Sequence, residues 1–208
     1  VGNENNAVLI DVGIHCRDVE KRLQRIKLDI KKVRAIFITH EHIDHVRGLI
    51  TLASKYNLPV YLSQGTWRQM QEDLKNINYK FILEETPIII EDLLIHPFKK
   101  VHDAASPYSF VVDFKKIRVG IITDIGHACD NVKKHFSKCH AAFLEANYDD
   151  EMLQKGNYPA HLKQRIKSDV GHLSNEQALD LFLNHRHASL SHLILSHLSE
   201  ENNESELV

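Results

Sequence analysis

The stretch FITHEHIDHVRG, residues 37–48, places three histidines and one aspartate within six positions directly after an apolar run. A hydrophobic core rejects so many polar side chains, and solubility does not require this arrangement. In an extended segment His40 and His42 leave the chain on the same side, so they can share one metal ion. As the chain turns into a helix, Asp44 and His45 bring an oxygen donor and an imidazole donor to a second point close by.

Two metal ions about 3.5–4 Å apart could clamp a hydroxide and the oxygens of an ester during an in-line displacement. The zincin pattern HExxH does not apply, because the residue four positions after His40 is Asp44. The alternative is a histidine-rich surface loop without a ligand. The preceding apolar strand and the spacing of the donors favour the metal site.

Length and composition predict one domain spanning residues 1–208, with 43% hydrophobic residues to form its core. The chain has 26 Lys+Arg and 28 Asp+Glu, which excludes a polybasic nucleic-acid binder, so any site for a polyanion must be local. Three widely spaced cysteines favour a reducing compartment, and we expect a cytoplasmic protein. No apolar run approaches the ~20 residues of a membrane span.

Short β-rich runs alternate with helical patterns, which predicts an α/β protein. The two runs beside Lys115-Lys116 predict a hairpin, so some strands should be antiparallel. Helices are predicted over residues 46–56 and 174–185, the second opening with a capping box of Ser174 and Gln177. The predicted strands are AVLID (7–11), VRAIFIT (33–39), PVYL (59–62), LLIHPF (93–98), YSFVVDF (108–114), IRVGIIT (117–123), AAFLEA (141–146) and HLILS (192–196).

Further motifs follow HEHIDH in a recognisable order. Asp11 ends the first predicted strand, His102 follows a later one, Asp124 ends another, and His197 ends the last. HEHIDH matches the HxHxDH signature, and the whole series resembles the metallo-β-lactamase fold superfamily. The resemblance implies a four-layer αββα sandwich with mixed sheets and a dinuclear metal site.

The resemblance also implies the role of each residue. Two divalent ions, of zinc, manganese or iron, would have seven ligands: His40, His42 and His102 for one ion, Asp44, His45 and His197 for the other, and Asp124 between them. Asp11 would support the HxHxDH loop through hydrogen bonds. For each ligand outside the cluster, the alternative is an ordinary polar residue that ends a strand.

Two stretches indicate a branch within this superfamily. LEANYDDEML (144–153) and SDVGHLSNEQA (168–178) resemble segments of tRNase Z-type nucleases that carry a glutamate and a histidine, here Glu145 and His172. A histidine steadied by a carboxylate can protonate the departing sugar oxygen of a phosphodiester. Alternatively, His172 merely precedes a helix and Glu145 is a solvated carboxylate at a strand end.

Over most of its length the chain is similar to the YycJ/WalJ-like family, which is associated with 5′-to-3′ exonuclease action on DNA. The similar motifs include THEHIDHVRGL, KYNLPVY, HDAASP, ITDIG and LSHLSEENN. The resemblance implies a phosphodiesterase that degrades DNA with a metal-bridging hydroxide and has a role in DNA repair. Asp44, His172 and Glu145 are the expected catalytic residues. Compared with the family, we expect the chain to lack an N-terminal strand and C-terminal elements.

Three basic residues, Lys163, Arg165 and Lys167, lie just before His172. They either hold phosphates that lead into the metal site or solvate an exposed helix. Tyr158 either stacks on a base or packs beside the neighbouring proline.

Two other functions stay open. A hydrolase of a small ester, lactone or thioester would need neither the proton donor nor a basic approach path. A metal-bound regulatory module would bind metal without turnover, although seven ligands and an acid pair exceed what such a role requires.

Overall fold

The computed structural model describes residues 1–208, which divide into two compact units. Unit 1 comprises residues 1–98 and 104–115, and unit 2 comprises residues 99–103 and 116–208. Helices alternate with parallel and antiparallel strands, so the predicted α/β class with mixed strand directions is confirmed. All eight predicted strands are present, with ends that differ by at most two residues.

Unit 1 contains a parallel sheet of four strands in the order β1-β2-β3-β4. The strands are β1 (Ala7–Ile10), β2 (Val33–Phe37), β3 (Val60–Leu62) and β4 (Tyr79–Phe81). Ile10 pairs with Phe37, so β1 and β2 end side by side. Asp11 and the HEHIDH segment therefore emerge from the same edge of this sheet.

The helices of unit 1 bury their apolar positions against this sheet. Val19 and Leu23 enter the core from one helix, and Leu49 and Leu52 enter from another. The helices are α1 (Cys16–Arg25), a 3-10 turn (Ile30–Lys32), α2 (Ile43–Val46), α3 (Leu49–Tyr56) and α4 (Gln64–Met70).

The helix predicted over residues 46–56 is confirmed as α3 from Leu49 to Tyr56, but its predicted start at Val46 was wrong. Val46 ends the separate helix α2, and the two helices are divided at Gly48. The Gly48 amide donates to the Val12 carbonyl at 2.9 Å. A Cβ at Gly48 would lie 2.1 Å from the carbonyl oxygen of Ile14. This close backbone approach fixes the chain at Gly48, and only glycine fits there.

The remaining strands of unit 1 are β5 (Ile88–Ile90), β6 (Leu93–Lys99) and β7 (Tyr108–Phe114), and Lys99 at the end of β6 already belongs to unit 2. β5 is antiparallel to β6, and β6 neighbours β7. Lys115 and Lys116, after β7, have φ angles of 48° and 71°, as a two-residue hairpin turn requires.

Unit 2 contains three parallel strands in the order β10-β9-β8. They are β8 (Ile117–Ile122), β9 (Ala141–Glu145) and β10 (His192–Ser196). The helices are α5 (Asp130–Phe136), α6 (Asp150–Lys155), α7 (Ala160–Lys167) and α8 (Asn175–His185). Because the strands are parallel, Thr123-Asp124, Ala146 and His197 follow them at one edge.

The predicted capping box of α8 is confirmed. The Ser174 hydroxyl accepts from the Gln177 amide at 3.2 Å, and the Gln177 side chain accepts from the Ser174 amide at 2.9 Å. The two bonds satisfy amide donors that a helix start leaves open. They fix the start of α8, whose N-cap residue Ser174 lies two positions after His172.

Candidate metal centre

The four donors of the HEHIDH segment lie on a loop and a short helix of unit 1. His40 is fully buried, His45 is buried, and the Asp44 side chain is 62% exposed. The Nε2 of His40 lies 2.9 Å from the Nδ1 of His42. The Nε2 of His45 lies 3.5 Å from Oδ2 of Asp44. The two pairs predicted from the sequence are therefore close together in space.

Asp11 organises this segment from the end of β1, where its φ of 60° turns the carboxylate back toward β2. Its Oδ1 accepts from the Thr39 amide at 2.8 Å. Its Oδ2 accepts from the Thr39 hydroxyl at 2.7 Å and from Nδ1 of His45 at 2.8 Å. A carboxylate only accepts hydrogen bonds, so Nδ1 of His45 carries the proton and Nε2 keeps its lone pair.

Thr39 extends the same network to His40. Its hydroxyl has one proton, which it donates to Asp11, so it accepts from Nδ1 of His40 at 2.8 Å. The Nε2 of His40 is then the nitrogen with a lone pair for a metal. Sequence analysis missed Thr39, although its position directly before the first histidine of the motif could have indicated it.

Close backbone packing holds the segment against the chain after β1. The Val12 amide donates to the His45 carbonyl at 2.8 Å. A Cβ at Gly13 would lie 1.6 Å from the carbonyl oxygen of Asp44. Any larger residue at Gly13 must therefore displace the backbone of the donors.

Unit 2 contains three candidate donors of its own. Asp124 lies two positions after the end of β8, and His197 directly follows β10. Both have positive φ, 53° for Asp124 and 59° for His197. The Oδ1 of Asp124 lies 3.4 Å from Nε2 of His197 and 3.8 Å from Nε2 of His102. Left-handed backbone at non-glycine residues carries strain and is found disproportionately at functional sites.

His102 is buried, and its Nδ1 donates to the Gly171 carbonyl at 3.0 Å. Burial lowers the pKa of His102 to about 4. The imidazole is thus neutral near pH 7, which is the form that binds metals. Its Nε2, on the Asp124 side, is the nitrogen with the lone pair.

Glu145 ends β9 and is fully buried, so it is not a solvated carboxylate. Its Oε1 accepts from Nδ1 of both His172 and His197, each at 2.8 Å. Its Oε2 accepts from the amides of Ile125 and Leu173 at 2.8 and 3.2 Å. Burial alone would raise the pKa of Glu145, but the histidine hydrogen bonds outweigh burial and hold that pKa below its ordinary value.

One carboxylate therefore orients two imidazoles. In both His172 and His197 the Nδ1 proton points to Glu145, so Nε2 is the reactive nitrogen. The His172 ring centroid lies 5.2 Å from that of His102 and 5.3 Å from that of His197. The sequence paired Glu145 with His172 only, and the bond to His197 joins residues 52 positions apart.

The donor atoms fit a divalent metal. Within unit 2, Asp124 and His197 belong to a group of four residues whose possible ligand atoms lie within 4.8 Å of one another. The other two members, Glu145 and His172, are bonded to each other. Imidazole nitrogen and carboxylate oxygen suit zinc, manganese or iron. The acceptors on Nδ1 of His40, His45, His102 and His197 are the type of partner that orients metal-binding imidazoles.

Sequence analysis missed Lys100, whose side chain is fully buried. Its ammonium donates to the Thr123 carbonyl at 2.8 Å and lies 3.8 Å from Oδ2 of Asp124. A buried ammonium offsets the charge of a buried carboxylate. The only signal in the sequence for a role of Lys100 was its position, two residues before the candidate ligand His102.

The basic residues near His172 have protein partners. Lys163 donates to the Gln154 carbonyl at 2.7 Å, Arg165 pairs with the Asp103 carboxylate at 2.5 Å, and Lys167 pairs with Asp150. These contacts support the interpretation as an exposed, solvated helix, since α7 has no buried residue. Tyr158 is half-buried just before α7.

Histidines and carboxylates displayed at the strand ends of a mixed α/β fold define a protein of the metallo-β-lactamase type. Residues 6–198 match the family described as Beta-lactamase superfamily domain. Exodeoxyribonuclease YycJ of Bacillus anthracis is 37% identical over 210 residues, covering 100% of this chain and 80% of that protein. Exodeoxyribonuclease WalJ of Streptococcus pneumoniae is 34% identical over 207 residues, covering 96% and 76%.

The chain therefore belongs to the beta-lactamase superfamily and, within it, to the YycJ/WalJ-like proteins. The solved metallo-beta-lactamase fold protein YhfI from Bacillus subtilis matches with a TM-score of 0.73 at 18% identity, over 99% of this chain and 80% of that chain. This likeness confirms the predicted αββα fold class. None of the helices combines the length and apolar character that crossing a bilayer demands.

Proposed function

We propose that the chain is a metal-dependent phosphodiesterase, specifically a 5′-to-3′ exonuclease that degrades DNA. Relatives at 37% and 34% identity carry the name exodeoxyribonuclease. The observation that carries the proposal is the pair of hydrogen bonds from His172 and His197 to Glu145. A single carboxylate can then orient both a metal-binding imidazole and a proton-donating one, and these two groups suit the cleavage of a phosphodiester.

The proposed metal centre has two ions and the seven ligands that the family resemblance implies. His40, His42 and His102 would hold one ion, Asp44, His45 and His197 would hold the other, and Asp124 would serve both. When bound, divalent ions would polarise phosphoryl oxygens as Lewis acids and make water more acidic. The contacts of Asp11 and Thr39 support this set, since they place the ring proton of His45 and of His40 on Nδ1, so that Nε2 carries the lone pair.

His172 is the proposed proton donor. Its Nδ1–H is bonded to Glu145, so Nε2 is the atom that carries and delivers a proton to the departing sugar oxygen. The Glu145 carboxylate stabilises the positive imidazolium. The His172 side chain is 20% exposed, so a substrate can contact it while Glu145 stays excluded from water.

The leaving group tests this role. Replacing His172 with alanine should slow DNA cleavage roughly 10²–10⁴-fold, the usual contribution of a general acid. The same variant should cleave bis(p-nitrophenyl) phosphate at nearly the wild-type rate, because nitrophenolate departs without a proton. An equal loss on both substrates would contradict the assignment, whereas Asp44→Ala should lose both activities.

The nuclease itself is tested with linear DNA labelled at the 5′ or the 3′ end, single- and double-stranded, with added Mn²⁺ or Zn²⁺. Wild-type protein should release nucleotides stepwise from the 5′ end. Asp44→Ala should be inactive, while Asp180→Ala, which removes an exposed aspartate of α8, should match the wild type. Intact DNA in the presence of bound metal would overturn the proposal.

A hydrolase of a small ester, lactone or thioester is the second candidate. One observation favours it: the three basic residues of α7 are held by protein partners rather than arranged as an open track. Cleavage of a chromogenic thioester without any cleavage of DNA would select this candidate.

We also propose that residues 1–208 act as a single metallo-β-lactamase-fold domain in the cytoplasm. The continuous family match over residues 6–198 supports one domain. The odd number of cysteines supports a reducing compartment.

A further inference from the structure

Three aromatic rings form a partly exposed cluster on unit 1. Trp67 lies on α4, and Tyr79 and Phe81 lie on β4. The ring centroids are 6.0 Å apart for Trp67 and Tyr79, 5.9 Å for Trp67 and Phe81, and 5.6 Å for Tyr79 and Phe81. We name these three residues the aromatic platform.

The two outer rings of the platform expose apolar surface to solvent. β4 is the last strand of its sheet, and Tyr79 and Phe81, two positions apart, project from the same face. Tyr79 is 36% exposed and Phe81 is 44% exposed. Trp67 is partly buried against the core, so it gives the two outer rings a firm support.

The platform is connected to the candidate metal centre through the residue before Trp67. The Thr66 hydroxyl donates to Oε2 of Glu41 at 3.2 Å, and Glu41 lies between His40 and His42 in the sequence. Ser63 accepts from the Thr66 amide at 3.0 Å and fixes the start of α4. The HEHIDH segment and the helix that carries Trp67 are therefore held in one arrangement.

One exposed cation, Arg68, directly follows Trp67 on α4. Lys80 lies between Tyr79 and Phe81 in the sequence but projects from the opposite face of β4, where its Nζ lies 5.5 Å from the Tyr61 ring centroid. Exposed aromatic rings bind single-stranded nucleic acid by stacking, because every base offers a π face, and a cation such as Arg68 suits the phosphates of the strand.

We propose that the aromatic platform binds unpaired nucleobases of the substrate strand by stacking. The inference rests on the proposed nuclease function and adds to it a surface for the strand outside the metal centre. Duplex DNA hides the faces of its bases, so the platform favours single-stranded DNA or a frayed end.

The chain contains a single tryptophan, which makes the test direct. Oligothymidylate is titrated into EDTA-treated protein, so that binding is measured without cleavage. Stacking near the indole should quench the emission of Trp67, and an oligonucleotide duplex of equal length should quench it less. Anisotropy of a labelled oligothymidylate gives an independent binding curve.

Variants separate stacking from general affinity. Phe81→Leu and Tyr79→Leu should each weaken oligothymidylate binding roughly tenfold, the usual scale for one stacked base. Phe143→Leu, at an aromatic residue of β9 that is also 36% exposed, should bind as the wild type does. Unchanged thermal unfolding of all three variants would establish that the folds are intact.

The outcomes distinguish the platform from the proposed function. Wild-type affinity in both platform variants, or binding by anisotropy without quenching, would overturn the platform even if DNA is cleaved. Quenching that both variants weaken, in a protein that never cleaves DNA, would support the platform and overturn the nuclease. No binding of oligothymidylate at all would overturn the platform.

Discussion

Replacing Glu145 with glutamine should damage stability and metal binding together. The carboxylate accepts four hydrogen bonds inside the protein, two from imidazoles and two from backbone amides. A glutamine of the same shape has one accepting oxygen and one NH₂ group, which is a donor. In either orientation of the glutamine side chain, its NH₂ group faces two protein donors: the two imidazoles or the two backbone amides.

The size of the effect follows from those two donors. A buried donor left without an acceptor costs about 1–3 kcal/mol, so the free energy of unfolding of Glu145→Gln should fall by about 2–6 kcal/mol. Where the NH₂ group faces the imidazoles, the variant also removes the acceptor that orients His197, and loss of such a partner typically weakens metal binding 10–100-fold. Glu201→Gln, at an exposed glutamate, should change stability by less than about 0.5 kcal/mol.

Urea denaturation of metal-free protein measures the first effect, and competition with a chromogenic chelator measures the second. His172→Ala provides a contrast, because it should reduce DNA cleavage while leaving metal affinity close to that of the wild type. If Glu145→Gln unfolded at the wild-type urea concentration and kept its metal, the shared role of this carboxylate would be refuted.

Other perturbations test the surroundings of the site. Gly13→Ala must displace the Asp44 backbone, so metal affinity should fall at least about tenfold in the chelator assay, and wild-type affinity would contradict the packing argument. Lys100→Met leaves the Asp124 carboxylate buried without its ammonium, and metal-free protein should lose about 3–5 kcal/mol in urea denaturation. An undiminished free energy of unfolding would show that the pair is dispensable. Hydrogen bonds from Lys55 and Tyr56 lower the pKa of Glu20 from 4.5 to about 2. The stabilisation by the ionised Glu20 carboxylate is present above pH 4.5 and is lost as the pH falls toward 2. In acid denaturation, the wild type should therefore lose its stability advantage over Glu20→Gln across that range.

The strand prediction missed the two short strands β4 and β5. All three residues of β4 are exposed, so its sequence YKF has no buried face to produce an apolar pattern. β5 has three isoleucines in a row and only one is buried. The helix over residues 46–56 was predicted as continuous, because the contact that breaks it joins Gly48 to residues 12 and 14.

The sequence by itself determined the donors that are neighbours along the chain. His40, His42, Asp44 and His45 are adjacent in one strand-to-helix turn, so local geometry alone brings their side chains together. The order of the later motifs identified the fold, because it matches a known series. The capping box of α8 was also evident, since its two bonds span three residues.

Only the tertiary structure decided which residue supports which. Glu145 contacts residues 27 and 52 positions away, and Asp11 contacts residues 28 and 34 positions away. Such pairs meet because parallel strands end at one edge of a sheet, and nothing in the local sequence records which strands are neighbours. Two further features also depend on tertiary structure. Lys100 is buried beside Asp124, and the aromatic platform lies on β4, the edge strand of its sheet.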